Sequence, residues 1–380
     1  MTKLILLIPD NSLFYRHLFH AVKAGFEEIG CTVIDGRGDS HLRVLIDHHR
    51  PDFVFEMNRT KSEYEDYPSE IPHICWLVDF WGRTPDTLGE SDILYTFSNG
   101  WVRLFDATKA KKIAYFPPAT DPKIFYPSPG PKKSDFIFMG HIPSPWSTEE
   151  LERPVGLNNQ EGFVKFKDLL PIIQEFAATR YTETSLLDRL GKEFDCDFND
   201  LKNSALMYDI SSRAMRQARR ETFLNHCLTL SDSLIIYGTQ NWQQYPLFQD
   251  KYIRFVEKPT ELNQVIQEAH ILLHDGNYPH FRTFDAMAAG TVVAAAAPSV
   301  RSDTPMDDWE TLGFEKNIDY IEVDFYASDT TLGRLLSDKK FLADVAYNGR
   351  EKILSGHTWA HRASRVINDL KEIKGERIRS

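Results

Sequence analysis

The 380-residue chain has few cysteines, and none of them belongs to a recognisable metal or redox motif. No two cysteines stand in a C-x-x-C spacing, so the sequence excludes a zinc knuckle and a dithiol redox centre of that kind. Scattered cysteines are typical of small core residues in proteins of a reducing compartment. They are Cys31, Cys75, Cys196 and Cys227.

Long apolar runs are also missing from the sequence. No stretch reaches the roughly 18 apolar residues that a transmembrane helix needs. The apolar run at residues 4–8 is broken by Pro9 and lacks a small-residue cleavage site, so it predicts a buried strand rather than a signal peptide. We therefore expect a cytoplasmic protein, and the sequence leaves peripheral attachment to a membrane surface open.

Positive charge is in deficit across the chain. The formal net charge is −11 at pH 7, so we expect no nucleic-acid partner, although a local basic patch is compatible with this total. A hydrophobic content of 42% with 12% aromatic residues is typical of a globular protein. Because 380 residues exceed the usual size of one core, we expect two domains; the oligomeric state stays open.

Strand and helix patterns alternate along the first third of the chain and again after residue 230. This alternation predicts an α/β fold with two Rossmann-like, doubly wound domains, each built on a parallel sheet. Residues 125–133 contain four prolines and glycines, which indicates a boundary between the domains. We predict an N-terminal, acceptor-side domain over residues 1–130, a donor-binding domain over 131–358, and a terminal helix over 359–380 that can cross back to the first domain.

Residues 147–230 have helical periodicity and few strand patterns. We interpret them as a helical insertion in the second domain. Such an insertion can cover the sheet, shape an acceptor site or form an oligomer interface. Within it, Arg213, Arg216, Arg219 and Arg220 follow one another at helical spacing. They can form a solvated helix face, or a basic stripe for a diphosphate or an anionic acceptor.

The most informative pattern lies between residues 271 and 297. Its order is apolar strand, polar loop, short helix of small residues, Gly290, and a second strand. Gly290 can supply the positive φ that stops the helix. In open α/β sheets, ligands bind at the carboxyl ends of strands beside helix N-termini, which is where Arg282 and Asp285 fall. Arg282 can pair with phosphate and Asp285 can accept hydrogen bonds from sugar hydroxyls. The alternative is a surface helix on which the two side chains pair with each other.

This segment resembles the C-terminal donor-binding motif of GT-B glycosyltransferases, most closely the spore-maturation-protein (CgeB-like) branch. Larger retaining families carry two glutamates eight positions apart here; Asp285 takes the place of the second and Asn277 that of the first. Further resemblances are the Phe-Met-Gly at 138–140, the strand at 234–238 with Trp242 behind it, and the Gly-His-Thr-Trp-Ala-His-Arg at 356–362. The N-terminal third resembles the family mainly through residues 71–79.

The resemblance implies a nucleotide-sugar-dependent hexosyltransferase with the GT-B fold. The donor would be a nucleotide-sugar, with a UDP-sugar favoured, and the acceptor a glycan, a protein or a lipid-linked molecule. The family implies no cofactor, no essential metal and, by analogy, retention of configuration. The Asp-Cys-Asp at 195–197 lies among charged helical residues and does not resemble a metal-binding D-x-D triplet.

Donor-binding candidates are distributed over the second domain. We expect Arg282 to bind the diphosphate and Asp285 to bind the ribose hydroxyls, since the guanidinium group is planar and bidentate. Other candidates lie on the loops that the resemblance places near the donor, and an ordinary polar loop is the alternative for several of them. They are Asn277, Tyr278, His280, Phe281, Thr283, Gly140, Gly238 and Lys258.

Candidate catalytic and acceptor-side residues are assigned to loops at strand ends. Asp79 ends a strand and could be a general base in an inverting reaction or orient the acceptor in a retaining one; a helix N-cap is the alternative. His141 could donate to phosphate or sugar, and a structural histidine is the alternative. Trp76 and Trp81 near Asp79 could form a sugar-binding platform. Asn11 and Ser12 follow the first strand, another cleft position, and Ser12 can cap a helix that runs to about Ile29.

Two other classes of function remain compatible with this pattern. A sugar-nucleotide epimerase would need further cleft carboxylates and a histidine cluster, and a phosphorylase would need a pyridoxal-binding lysine motif; neither is evident in the sequence. The other class is a non-catalytic protein that kept the fold to bind a nucleotide-sugar. Hydrolysis of the donor without acceptor would distinguish an enzyme from such a binding protein.

Overall fold

Two parallel β-sheets form the frame of the protein. The structure, a computed structural model, describes residues 1–38, 41–80, 82–106, 109–156, 163–177, 183–195, 206, 208–297, 308–325 and 331–375. In chain order the strands are β1 (Lys3–Leu7), β2 (Thr32–Asp35), β3 (Phe53–Met57), β4 (His73–Leu77), β5 (Ile93–Thr96), β6 (Lys112–Tyr115), β7 (Ser134–Met139), β8 (Pro154–Gly156), β9 (Phe163–Lys165), β10 (Leu234–Tyr237), β11 (Tyr252–Arg254), β12 (Ala269–His274), β13 (Val292–Ala296) and β14 (Ile321–Val323).

Helices connect the strands and cover the sheets. They are α1 (Leu13–Glu28), α2 (Leu42–His49), α3 (Thr148–Glu152), α4 (Phe166–Ala177), α5 (Glu183–Phe194), α6 (Met215–Leu230), α7 (Pro259–Ile266), α8 (Phe281–Ala288), α9 (Asp308–Thr311), α10 (Thr331–Ser337), α11 (Lys339–Gly356) and α12 (Trp359–Ile373). A π-helical segment, Tyr208–Ala214, leads into α6. Among these described residues, none of the helices is both long and apolar enough to cross a bilayer.

The strand orders place a topological switch point in each sheet. The first sheet has the order β2-β1-β3-β4-β5-β6 and the second β11-β10-β7-β12-β13-β14. In the second sheet β7 is central, with Phe136 in register with Leu234 on one side and Ile271 on the other. The order reverses between β7 and β12, so the loops after these strands diverge and leave a crevice at the carboxyl edge. The predicted fold class, two doubly wound parallel domains, is confirmed.

Helix α1 begins where the sequence predicts it. The Ser12 hydroxyl accepts a hydrogen bond from the backbone N–H of Tyr15 at 3.2 Å, which satisfies one of the free donors of the first turn. Leu18, Val22 and Phe26 recur at every fourth position and are buried in the core of the first sheet. The helix therefore fixes the loop that follows β1 at the carboxyl edge of that sheet.

The last helix, α12, packs on the first sheet. Its residues Trp359, Ala363 and Val366 share a core with α1 and the strands of that sheet. Arg362 is buried, and its guanidinium group donates to the carbonyl oxygens of Pro117 and Pro118, both at 3.0 Å. The chain thus returns to its N-terminal half after completing the second sheet. The boundaries at residues 130 and 358 stay predictions.

The insertion between β7 and α6 has a small core of its own. It contains the helices expected from the periodicity and also a two-stranded antiparallel sheet, β8 with β9, which the sequence analysis missed. Strands of three residues are too short to show an alternating pattern. Arg213 pairs with Glu150 and lies over the Trp146 ring at 3.8 Å, which ties the insertion to the start of α6.

Candidate functional site

The candidate site lies at the switch point of the second sheet. The loop after β7 begins with Gly140, and the loop after β12 leads through residues 275–280 into α8. The side chain of Arg282, in the first turn of α8, reaches across this gap and donates from Nη1 to the Met139 carbonyl at 2.6 Å. Arg282 lines two adjoining cavities in common.

The start of α8 is held by a reciprocal cap. The Thr283 hydroxyl donates to the His280 carbonyl at 2.7 Å and accepts from the His280 backbone N–H at 2.9 Å. The side chain of Thr283 is fully buried and fixes the start of the helix. Contrary to the prediction, it therefore does not bind the donor. Gly290 has φ +74° just past the C-terminus of α8, as the sequence predicts for a helix stop. The N-terminus of α8 is therefore a rigid edge of the site.

The first cavity, the apolar chamber, has a volume of about 460 Å³ and lies between the two halves of the protein. Helix α1 and Trp359 of α12 form one wall, and the ends of β7 and β10 with residues 255–262 form the other. The apolar lining includes Leu13, Phe14, Val78, Met139, Tyr237, Val256, Leu262, Phe281 and Trp359. The polar groups that face it include Ser12, His141, Glu257, His280, Arg282 and Asp285.

Phe281 connects the two halves at the base of the apolar chamber. Its ring stacks on Phe97 of the first sheet with centroids 5.6 Å apart and on Trp359 at 6.5 Å. Trp76 packs edge-on against the same ring. The site therefore has a shared aromatic floor, and Phe281 lines the chamber; its donor-binding role stays a prediction.

The second cavity, the arginine chamber, has a volume of about 510 Å³ and lies beside the α6 helix. Its charged lining residues are Arg216, Arg219, Arg220, Arg282 and Asp275. Tyr278, His280 and Met139 also contribute to its walls. The two chambers share Met139, His280 and Arg282.

Electrostatic pairing in the arginine chamber is centred on Asp275, which follows β12. The Arg220 Nε donates to Asp275 Oδ2 at 2.9 Å. Burial opposes the charge of Asp275, but Arg220 and His274 outweigh it and lower the pKa of this carboxyl group from 3.8 to about 2. Burial lowers the pKa of His274 to about 4, so this imidazole is neutral at pH 7.

Asp285 is held at the junction between the two halves. Thr120, from the segment after β6, donates its hydroxyl to Asp285 Oδ1 at 2.6 Å. Burial raises the pKa of Asp285 to about 8, in spite of the bond from Thr120 and the charge of Arg282. This carboxyl group is therefore largely protonated at neutral pH, able both to donate and to accept a hydrogen bond.

Gly238 allows two backbone segments of the site to touch. A Cβ atom at this position would lie 1.9 Å from the Gly140 carbonyl oxygen, so only glycine fits without a shift. Trp242 donates from Nε1 to the same carbonyl at 2.8 Å. Both glycines line the apolar chamber, where their backbones are open to a ligand.

His141 lies beside these glycines at the edge of the apolar chamber. Its Nδ1 is 3.1 Å from the Thr239 hydroxyl. Burial, followed by the charges of Arg220 and Arg216, lowers the pKa of His141, so the ring is neutral at pH 7. A neutral imidazole here can take up or deliver a proton.

The N-terminal side of the site carries the loop after β4. The Asn58 side chain accepts from the backbone N–H groups of Val78 at 2.6 Å and Asp79 at 2.8 Å, which orients this loop. Burial and then the charge of Asp79 raise the pKa of Tyr15, which lines the apolar chamber. The exposed Asp79 is thus near Tyr15 but outside the lining of both chambers, whereas Ser12 lines the apolar chamber directly.

Several predicted site residues have other places in the structure. Trp76 is fully buried and its Nε1 donates to the Phe116 carbonyl at 3.0 Å, so the prediction that it stacks on a sugar is wrong. Asn11, Lys258 and Asn277 lie on loops next to the site but outside the lining of both chambers. Trp81 lies outside the described residues.

The arginine chamber is the part of the site that the sequence pattern indicates least clearly. Arg216, Arg219 and Arg220 are three and four positions apart and could have been read as one wall. Their signal was mixed with that of Arg213, which packs away from the chamber on the insertion. Thr120 and Asp275 carried no pattern, because each acquires its role from a contact with a distant residue.

The comparisons with known proteins agree with this architecture. Residues 212–368 match the family model described as glycosyl transferase-like. This stretch, which includes α6 and α8, is thus glycosyltransferase-like in sequence. The match covers less than half of the chain, and the resemblance to the spore-maturation branch stays a prediction. No curated protein shows significant sequence similarity to the chain.

Solved structures share the fold. A glycosyltransferase from Rickettsia africae ESF-5 superposes with a TM-score of 0.50, 10% sequence identity and coverage of 99% of each chain. The Anabaena protein HepE, in complex with UDP and glucose, superposes with a TM-score of 0.49 and 11% identity over 98% of this chain and 100% of that chain. At this level of identity the likeness to the Rickettsia enzyme shows the fold.

Proposed function

We propose that the protein is a nucleotide-sugar-dependent glycosyltransferase whose donor binds across the two chambers. The proposal is supported mainly by the way in which the two chambers meet. An apolar, aromatic cavity and an arginine-lined cavity meet at Arg282, at the switch point of a doubly wound sheet. A nucleoside diphosphate has this same division between a flat apolar base and a charged diphosphate.

In the apolar chamber, the base would lie between residues 255–262 and the end of β10. Val256 and Leu262 offer apolar faces there, and exposed backbone groups can read the edge of the base. Asp285 is deeper in the same chamber and can bind the ribose hydroxyls. A UDP-sugar is the favoured donor.

The diphosphate would be stabilised by Arg282 and by the N-terminus of α8. The positive end of the helix dipole and a guanidinium group both favour negative charge at this point. As the glycosidic bond breaks, its electron pair moves to the diphosphate, so these groups stabilise the leaving group. Because they meet the charge, the proposed reaction needs no metal ion.

The acceptor would approach from the N-terminal side, past Ser12 and Asp79. Its hydroxyl oxygen attacks the anomeric carbon while the bond to the diphosphate breaks. In a retaining reaction the acceptor attacks from the face that the diphosphate leaves, so the hydroxyl proton passes to the departing phosphate oxygen while Asp79 orients the acceptor and His141 donates to the phosphate or the sugar. In an inverting reaction Asp79 or His141 would take the proton as general base. We propose a glycan, protein or lipid-linked acceptor and, by analogy with the resembled families, retention of configuration.

The test is nucleotide binding measured by calorimetry with UDP, GDP, CMP and dTDP. We expect one of them to bind the parent protein, and Arg282→Gln to weaken it about 10-fold to 100-fold, the value of a charge-assisted hydrogen bond. Arg189→Gln, an exposed residue of α5 paired with Glu175, is the matched control and should bind like the parent. Binding of none of the nucleotides would contradict the proposal.

A second assay separates an enzyme from a binding protein with the same fold. Slow hydrolysis of the cognate nucleotide-sugar without acceptor is expected of the enzyme, with loss in His141→Gln or Asp79→Asn while nucleotide affinity is kept. If nucleotide binds and no hydrolysis or transfer is detected with any donor, the protein is a nucleotide-sugar binding module.

A further inference from the structure

The arginine chamber has more positive charge than its own carboxylate can balance. Four guanidinium groups line it, from Arg216, Arg219, Arg220 and Arg282, and Asp275 is the one carboxylate among its lining residues. The two histidines that line the chamber add no charge to this balance. Burial holds the pKa of His274 at about 4 and that of His280 well below its usual value, so both are neutral.

Two of these guanidinium groups also have unused donors. Arg219 Nε and Arg220 Nη1 are buried and have no hydrogen-bond partner among the described residues. Arg220 is held in place by Asp275 through its Nε, so the free Nη1 is fixed in direction. A buried guanidinium donor without a partner is costly, and an anion that accepts from it recovers the cost.

The backbone before α6 brings these side chains together. The π-helical segment Tyr208–Ala214 ends where α6 begins, and Ser212 within it lines the chamber. Segments of this kind shift the register of a helix and are frequent at functional sites. Arg216, Arg219 and Arg220 then share one face of α6 toward the cavity.

A diphosphate does not use up this charge. One arginine is matched by Asp275, and a diphosphate linkage carries one negative charge per phosphorus, which two more arginines balance. One guanidinium group is left over beyond Arg282 and its neighbour. Three of the four arginines lie on α6, so the remaining guanidinium group belongs to that wall of the chamber.

We propose that the arginine chamber binds a second anionic group in addition to the donor diphosphate, with Arg216 and Arg219 as its specificity-determining residues. This group is a carboxylate or a phosphate carried by one of the two sugars at the reaction centre. The substrates are thus acidic sugars, on the donor or at the end of the acceptor. This inference rests on the nucleotide-sugar site proposed above.

The first experiment titrates free sugars into protein saturated with the nucleoside diphosphate that it binds, at about pH 5, where the terminal phosphate keeps its second proton and each phosphorus carries one negative charge. The probes are glucuronate, glucose 6-phosphate and glucose, followed by NMR. We expect both acidic sugars to bind about 10-fold more tightly than glucose, as one charge-assisted hydrogen bond provides. The double variant Arg216→Gln, Arg219→Gln should lose this preference, and Arg189→Gln should keep it.

Three results would overturn the proposal: equal binding of acidic and neutral sugars, a preference that survives in the double variant, or acidic sugars that bind only when nucleotide is absent. The last would mean that the diphosphate takes all the arginines. If no nucleotide binds at all, the proposed function fails first, and the same titration on the free protein shows whether the chamber selects anions.

A second experiment distinguishes the two sources of the anion. Hydrolysis rates are compared for UDP-glucuronate and UDP-glucose, which share base and diphosphate. A kcat/KM ratio that favours the acidic donor and falls to about unity in the double variant assigns the anion to the donor. A ratio near unity in the parent, together with acidic-sugar binding in the first experiment, assigns it to the acceptor.

Discussion

The two chambers of the site differ in how they acquire their chemistry. The apolar chamber is built from both halves of the protein, since α1 and Trp359 face the ends of β7 and β10 across it. The arginine chamber belongs to the second half alone, with α6 on one side and the loop after β12 on the other. Changes in domain packing should therefore affect the first chamber strongly and the second weakly.

The largest expected loss of stability comes from the apolar chamber, where α12 packs on the aromatic floor. Trp359 is 6% exposed and contacts both Trp76 and Phe281, so Trp359→Ala leaves a cavity between α12 and the aromatic floor. We expect a loss of about 3–5 kcal/mol in the free energy of unfolding, measured by urea denaturation. Tyr347→Ala is the control, because Tyr347 is 65% exposed. Equal stabilities of the two variants would contradict the packing described here.

A smaller effect is expected where two backbones touch. In Gly238→Ala the new Cβ would meet the Gly140 carbonyl oxygen at 1.9 Å, so the loops after β7 and β10 must separate. We expect a loss of about 1–3 kcal/mol in stability together with weaker nucleotide binding. Gly356→Ala is the matched control, because a Cβ there meets nothing within 4 Å. A Gly238→Ala protein as stable as this control would show that the close approach is absent.

The pH dependence of stability tests the environment of Asp285. The folded protein raises this pKa from 3.8 to about 8, so it binds a proton that the unfolded chain has released. The group's contribution to stability thus falls by at most about 1.4 kcal/mol per pH unit as pH rises from about 4 to about 8, and it is level above that. Asp285→Asn removes this term, so its melting temperature relative to the parent should rise between pH 5 and pH 8. A constant difference would be inconsistent with a buried, protonated carboxyl group.

The smallest expected change in stability comes from the arginine chamber. Because four guanidinium groups face one carboxylate there, removal of one guanidinium group should relieve charge repulsion in the protein without nucleotide. We expect Arg219→Gln to raise the stability of the ligand-free protein by about 0.2–0.5 kcal/mol, the scale of a like-charge pair on a helix, with less effect at high salt. The measurement is thermal unfolding at two salt concentrations. Destabilisation that is independent of salt would indicate a structural role for Arg219.

Local patterns predicted the frame of both chambers. The cap at Ser12, the stop at Gly290 and the position of Arg282 at a helix N-terminus are set by residues close together in the chain, so the sequence was sufficient. Trp76 was misread because an aromatic residue in a buried strand has the same pattern whether its ring faces a ligand or a core. Its burial depends on Phe281 and Trp359, which lie more than 200 positions away.

The arginine chamber shows the same limit from the other direction. The spacing of the arginines on α6 was visible, but the carboxylate that pairs with Arg220 comes from the end of β12, on another element. The hydroxyl that binds Asp285 comes from Thr120, in the segment after β6 of the first sheet. Such long-range pairs are set by the packing of the two sheets, which no local pattern encodes.

The most direct test of a donor that binds across both chambers is a crystal structure with the nucleoside diphosphate that binds the protein. We expect the base in the apolar chamber beside Val256 and Leu262, the ribose next to Asp285, and the diphosphate within hydrogen-bond distance of Arg282. The diphosphate would then point into the arginine chamber. A nucleotide bound anywhere else, or one whose phosphates lie away from Arg282, would contradict the assignment of the two chambers to one donor.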